Sequence, residues 1–168
     1  MPKTRKLTLM AMLTALSLIV FVIEAQIPAP VPIPGVKLGI ANMITLVAML
    51  VLGRREAGLI LLVRIILGSV FAGGVSALLF SIVGGALAYA VMCLTLKSFP
   101  EKMLWAVSIL GAAAHNAGQL AVAIALTKTA GLLVYAPVLI ASAIVTGAFT
   151  GLGAMYLTRA VKRLDKRA

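Results

Sequence analysis

The sequence predicts an all-α integral membrane protein, a bundle of six transmembrane helices, and three observations support that fold class. Of the 168 residues, 62% are hydrophobic and only 11% are charged. The mean hydropathy of +1.16 lies far above that of soluble globular domains. Apolar stretches of membrane-spanning length follow one another with no long polar insertion. We therefore expect a single membrane domain over residues 1–168.

The six helices can be placed in order with a window of about 20 residues. They are expected near residues 7–27, 38–52, 57–72, 75–96, 103–126 and 132–158. The third is short, and its break should fall at Gly73 and Gly74, since glycine permits a tight turn into the fourth helix. Between the fourth and fifth helices, Pro100 lies in a polar turn and cannot continue a helix.

The charge distribution predicts topology rather than nucleic-acid binding. The net charge is +11, but the basic residues lie in short loops and at both chain ends, as the positive-inside rule expects. These loops and chain ends share one side of the membrane, and of the basic loop residues only Lys37 and Lys128 fall on the other side. Both termini should therefore be cytoplasmic, in the inner membrane of a prokaryote, with membrane lipids and not nucleic acid as neighbours.

The loop after the first helix is proline-rich. Pro28, Pro30, Pro32 and Pro34 make it stiff and extended rather than helical. A plain spacer between two helices is the alternative, but four prolines with apolar residues between them favour a lid that docks over the helix ends.

Polar groups inside a membrane are costly unless they face a cavity or a partner. Glu24 should lie near the outer end of the first helix, and Asn42 about 7 Å inside the second. Arg64 should lie about 10 Å from the cytoplasmic end of the third. Two interpretations of Arg64 stay open: it pairs with Glu24, or it meets an anionic group of a ligand. Lys37 would suit the same anionic group.

The fifth helix carries the strongest signal of a site. At about 100° per residue, His115, Asn116 and Gln119 form one polar arc near the middle of the membrane. Such side chains also join helices by hydrogen bonds, but three together favour a ligand pocket. We predict that these three residues bind substrate with Glu24, Lys37, Asn42 and Arg64.

Small residues form a second pattern. Ala11 and Ala15 lie on the first helix, roughly opposite Glu24 around its axis. They could form a flat face for a partner helix, while internal packing is the alternative. Gly147 and Gly151 on the sixth helix have the same spacing.

Catalysis and cofactors find no support in the sequence. Cys93 is the single cysteine and Asp165 the single aspartate, and there is no ATP-binding loop of the G-x-x-x-x-G-K-[ST] type. We therefore expect no catalytic residue, no metal site and no cofactor. A structural subunit of a membrane redox complex is not encouraged either, since haem and cluster ligand spacings are missing.

These features together resemble the substrate-binding S component of an energy-coupling factor (ECF) transporter. The resemblance rests on Ala11 and Ala15 and on the proline-rich loop that runs into Lys37-Leu-Gly-Ile-Ala-Asn42. It implies six helices with cytoplasmic termini, capture of a substrate from outside, and contact of Ala11 and Ala15 with a transmembrane scaffold. The scaffold would carry cytosolic ATPases that supply the energy.

Three further segments resemble more closely the family labelled Gx transporter or heptaprenyl diphosphate synthase component I. They are residues 34–42, Arg64 before Gly68 and Ser69, and residues 111–119. The second label implies an accessory role in polyprenyl diphosphate or quinone synthesis. Prenyltransferases of that kind hold Mg²⁺ and diphosphate with two Asp-rich motifs, so this chain is not the catalyst alone. An uptake subunit for a vitamin-like, flavin-like or isoprenoid compound is the leading hypothesis.

Overall fold

The computed structural model describes residues 2–27, 37–72 and 74–167. It contains six α-helices in those ranges, which confirms their predicted number and order: α1 (Lys3–Glu24), α2 (Asn42–Val51), α3 (Arg54–Ala72), α4 (Gly74–Thr95), α5 (Leu104–Thr127) and α6 (Ala136–Arg167). Short 3-10 turns at Glu101–Met103 and Ala130–Tyr135 lead into α5 and α6. The predicted lid, with its prolines at 28, 30, 32 and 34, lies outside the described residues.

Four helical segments are long and apolar enough to cross a membrane. They are Lys3–Glu24, Gly74–Thr95, Glu101–Thr127 and Ala130–Arg163. The 22 residues of α4 rise about 33 Å at ~1.5 Å per residue, which matches a hydrocarbon core of about 30 Å. Large apolar side chains cover the outer faces of these helices, as on α6, where Phe149 is 71% exposed. The chain is thus a multi-pass membrane protein.

The short helix α2 lies in the centre of the bundle. Its ten residues rise about 15 Å, half the thickness of the membrane core. Ile44, Leu46, Val47 and Ala48 are completely buried, and α1, α3 and α6 pack around them. A helix that is apolar on every side needs such surroundings, so the sequence of α2 determines its central place.

The start of α2 differs from the sequence prediction. Residues 38–41 do not belong to the helix, since Gly39 has a φ of 81° and its carbonyl accepts the backbone N–H of Asn42 at 3.0 Å. The placement of Asn42 about 7 Å inside the helix was therefore wrong. Asn42 is the first residue of α2. A hydropathy window cannot detect this turn because its residues are mostly apolar.

The junction of α3 and α4 confirms the predicted break. α3 ends at Ala72 and α4 begins at Gly74, whose φ of 67° is a left-handed conformation that glycine adopts without steric cost. The bounds of α1 and α6 are shifted from the predicted ones. α1 begins at Lys3 instead of residue 7 and ends at Glu24 instead of residue 27, and α6 begins at Ala136 instead of residue 132 and continues to Arg167 instead of residue 158. Polar residues at helix ends can continue a helix into the aqueous layer, and a hydropathy window misses them.

Hydrogen bonds and ion pairs join the basic ends of the helices. Lys6 near the start of α1 pairs with Glu56 in the first turn of α3. Lys162 near the end of α6 pairs with Glu101 before α5, at 2.6 Å between Nζ and Oε1. Leu9, Ala57, Leu104 and Leu157 belong to one apolar cluster, which joins the two ion-paired helix pairs. The starts of α1, α3 and α5 and the end of α6 therefore lie at the same end of the bundle, which we call the basic end.

The glycines of α6 pack inside the bundle. A Cβ atom at Gly147 would lie 2.5 Å from the Cα of Ile109, and one at Gly151 would lie 2.5 Å from the Cα of Trp105. Neither distance leaves room for a side chain, so the two glycines allow the backbones of α5 and α6 to approach closely. This small-residue pattern serves internal packing.

Candidate ligand-binding site

Most of the predicted site residues surround one small cavity in the helical core. The residues that line it come from α1, the segment before α2, α3, α4 and α5: Phe21, Glu24, Lys37, Gly39, Arg64, Ser81, His115 and Gln119. The cavity volume is about 10 Å³, which is room for about one water molecule. The arrangement is therefore a small pocket, lined mainly by polar side chains, inside a largely apolar bundle.

Glu24 fixes the segment that precedes α2. Its side chain is only 4% exposed at the end of α1. One carboxylate oxygen accepts the backbone N–H of Gly39, and the other accepts the backbone N–H of Ala41 at 3.2 Å. Buried carboxylates require such donors, and here the donors come from a segment with no helical partners of its own. Glu24 thus ties residues 39–41 to α1.

Gln119 holds the same segment from the other side. Its Oε1 accepts the backbone N–H of Lys37 at 3.0 Å, and the side chain is 1% exposed. Residues 37–41, which we call the closing segment, are thus anchored to α1 through Glu24 and to α5 through Gln119. Opening the cavity along this segment would break the hydrogen bonds at both anchors.

Arg64 lies in the middle of α3 and is 3% exposed. Its Nη2 donates to Oδ1 of Asn42 at 3.3 Å. Between Arg64 and Glu24 we find no direct hydrogen bond in the described part of the chain, although the carboxylate is the nearby negative charge. Arg64 is therefore hydrogen-bonded to Asn42, and its interaction with Glu24 is electrostatic, without a hydrogen bond.

Lys37 extends over the ring of Phe21. Its Nζ lies 3.6 Å from the ring centroid, and the guanidinium carbon of Arg64 lies 5.8 Å from the same centroid. A cation over an aromatic face gains a favourable electrostatic interaction, which is larger where water is excluded. One phenylalanine therefore supports both cations of the cavity.

His115 is enclosed by two glycines. A Cβ atom at Gly39 would lie 3.0 Å from its Cδ2, and one at Gly84 would lie 2.9 Å from its Nδ1. The imidazole therefore fits between the closing segment and α4 only because both positions lack a side chain. Gly39 is also required for its φ of 81°.

Replacing Gly39 by alanine is expected to open or distort the cavity. The methyl group would meet His115 and Asn42, at 3.0 and 3.1 Å, in addition to the backbone strain of a positive φ. Overpacking and strain together should lower the free energy of unfolding by about 2–4 kcal/mol. Gly74→Ala is the matched control, because it has a φ of 67° with nothing within 4 Å. Unfolding of both variants in detergent measures the difference, and equal losses would contradict the contact with His115.

Asn116 separates from the other two residues of the predicted polar arc. Its Nδ2 donates to the backbone carbonyl of Leu139 in α6 at 2.8 Å. It lines a different, apolar cavity of about 120 Å³ between α5 and α6. The arc prediction takes account of position around one helix but cannot identify which neighbouring helix each side chain reaches.

Phe21 and Ser81 are cavity residues that the sequence analysis missed. Phe21 is one turn before Glu24 on α1, so the two share a helix face. Ser81 is one of the few polar residues within α4 and is 6% exposed. Searching for residues three or four positions from each intramembrane charge would have found Phe21.

Ala11 and Ala15 are exposed on α1, whereas Glu24 is buried. They therefore lie on the outer surface and not against another helix of the chain. Among the described residues, no three His, Cys, Asp or Glu side chains form a group that could hold a metal ion.

A model of the family described as heptaprenyl diphosphate synthase component I matches residues 13–157, which is most of the chain. No curated protein and no solved structure matches the sequence.

Proposed function

Because the chain belongs to the heptaprenyl diphosphate synthase component I family, we propose that it is a non-catalytic membrane subunit that captures a small molecule. It would work in the manner of an S component of an ECF-type transporter. The supporting observation is the small pocket in which Glu24, Lys37, Arg64, His115 and Gln119 converge. Ionisable groups at membrane depth are rare and by default indicate a functional site.

The position of the pocket supports capture from outside the cell. The basic end of the bundle would face the cytoplasm under the positive-inside rule. Glu24 lies at the far end of α1 from Lys6, so the pocket lies between the membrane centre and the opposite surface. Closing-segment residues lie on that side, together with Gln26 and Ile27 at the start of the proline-rich loop. Substrate would enter there, with both termini cytoplasmic.

Retention of a small molecule tests this proposal. Mass spectrometry of extracts from the purified full chain should detect a co-purifying compound in the wild type. Lys37→Gln should reduce it by roughly 10-fold or more, the usual effect of losing a charge-assisted contact in a buried site. Lys128→Gln, an exposed lysine outside the pocket, should retain the compound fully. Absence of any compound from wild-type protein, or equal retention by both variants, would count against capture in this pocket.

Energy for uptake would come from partners, since the chain has no ATP-binding loop. We propose that the exposed Ala11 and Ala15 face contacts a transmembrane scaffold that carries cytosolic ATPases. Small residues permit close helix approach, which is what drives helix association in lipid.

Ala15→Trp tests the docking surface. In cells that also express an ECF scaffold and its ATPases, the bulky ring should abolish co-purification of the scaffold and the ATPases without changing ligand retention. Val145→Trp is the control, because Val145 is a lipid-exposed residue of α6 at 70% exposure. Association that survives Ala15→Trp, or that is lost equally in both variants, would rule out this surface.

A second candidate follows from the family's description. The chain would then be a membrane accessory to a soluble polyprenyl diphosphate synthase, in which the partner supplies the Asp-rich motifs that this chain lacks. Adding the purified chain to such a synthase should change its rate or product length. Unchanged rate and unchanged chain length would remove the support for this role.

A further inference from the structure

The charged groups of the pocket do not balance. Lys37 and Arg64 carry two positive charges, and Glu24 carries the single negative charge near them. Both oxygens of Glu24 already accept backbone N–H groups, from Gly39 and Ala41. These three side chains therefore leave one positive charge uncompensated within the membrane-embedded core.

Several donors around the pocket also lack acceptors. In the described part of the chain, Nζ of Lys37, Nε of Arg64 and Nδ2 of Asn42 are buried without a hydrogen-bond partner. Bulk water does not reach the hydrocarbon core to satisfy such groups. Asn42 is joined to Arg64 through its other side-chain atom, Oδ1, so the three donors belong to one cluster. An acceptor that carries negative charge would satisfy all of them.

The geometry of the two cations suits a carboxylate. Lys37 and Arg64 lie over the same Phe21 ring, at 3.6 and 5.8 Å from its centroid. A guanidinium offers a planar fork of donors that matches a carboxylate, and an ammonium adds a point charge.

Charge favours a carboxylate over a diphosphate in this pocket. A carboxylate carries a single negative charge, which balances the cluster, whereas a diphosphate carries more negative charge than the cluster lacks. The cavity volume is only about 10 Å³, room for about one water molecule, so binding of an organic ligand requires the closing segment to move.

We propose that this pocket recognises the carboxylate of a monoanionic organic acid through Lys37 and Arg64. The inference deepens the proposed capture function and depends on it. It also distinguishes the capture function from the accessory role, in which a diphosphate is the natural ligand.

Thermal unfolding of the purified full chain in neutral detergent tests the proposal with three probes at constant ionic strength: benzoate, pyrophosphate and benzylamine. Benzoate should raise the Tm saturably, by about 3–5 °C at ten times its Kd. Lys37→Gln and Arg64→Met should each reduce this rise to about a third or less at the same benzoate concentration, and Lys128→Gln should preserve it. Two separate pocket variants are used so that one that fails to fold does not prevent the comparison.

Each result decides between alternatives. Stabilisation by pyrophosphate instead of benzoate would overturn the carboxylate inference and favour the accessory role. Stabilisation by benzylamine, or by none of the three probes, would also overturn it. If a co-purifying compound is found but is not an acid, the inference fails while the capture function stands. If wild-type protein retains nothing, the capture function fails first.

Discussion

Glu24→Ala is expected to lower the free energy of unfolding by about 3–5 kcal/mol, the usual cost of removing one partner from a buried charge cluster. The variant leaves Lys37 and Arg64 without their negative neighbour. It also leaves the backbone N–H groups of Gly39 and Ala41 without the carboxylate that accepts them. Unfolding of the purified protein in detergent micelles measures the loss.

Glu101→Ala is the control for this prediction. Glu101 also pairs with a lysine, Lys162, but the side chain of Glu101 is 70% exposed. Exposed ion pairs contribute about 0–1 kcal/mol, so this variant should be nearly as stable as the wild type. If both variants lose the same small amount, Glu24 does not anchor the closing segment.

Arg64→Met is expected to lower the affinity for benzoate strongly and to lower the free energy of unfolding less than Glu24→Ala does. Methionine fills a similar volume and removes a positive charge that the pocket holds in excess. The variant still loses about 1–3 kcal/mol of stability, because Oδ1 of Asn42 no longer accepts a hydrogen bond from Arg64. Affinity for benzoate should fall about 10- to 100-fold, as expected for a lost charge-assisted hydrogen bond. Titration with benzoate, followed through the Tm, measures the affinity, and unfolding without benzoate measures the stability.

Arg159→Met provides the matched control, since Arg159 is exposed near the end of α6. It should change neither Tm nor benzoate affinity. An Arg64→Met protein that is much less stable than Glu24→Ala would show that Arg64 has a structural role and that the pocket is balanced without a ligand.

The sequence predicted much of this fold because lipid imposes a simple rule. Backbone polar groups must be satisfied within each spanning segment, so apolar runs of sufficient length become helices. The break at Gly73 and Gly74 was also predictable, since glycine adopts the positive φ that a tight reversal needs. Burial of Glu24 and Arg64 followed from the cost of exposing charge to lipid.

Contacts between distant segments were not predictable in the same way. The bond from Lys37 to Gln119 joins residues 82 positions apart, and no local pattern encodes it. Asn116 shares a helix with His115 but reaches α6 instead of the pocket. The turn at Gly39 moved the start of α2 by several residues, because one positive φ changes a boundary that hydropathy cannot detect.

The most direct test of the central claim uses His115, the single histidine of the chain. Protein labelled only at histidine gives one imidazole signal, and His115 lines the pocket. If the pocket binds a small molecule, removal of co-purifying compounds should shift this NMR signal, and adding back the extract should restore it. A signal that stays unchanged through removal and re-addition would contradict a ligand in this pocket.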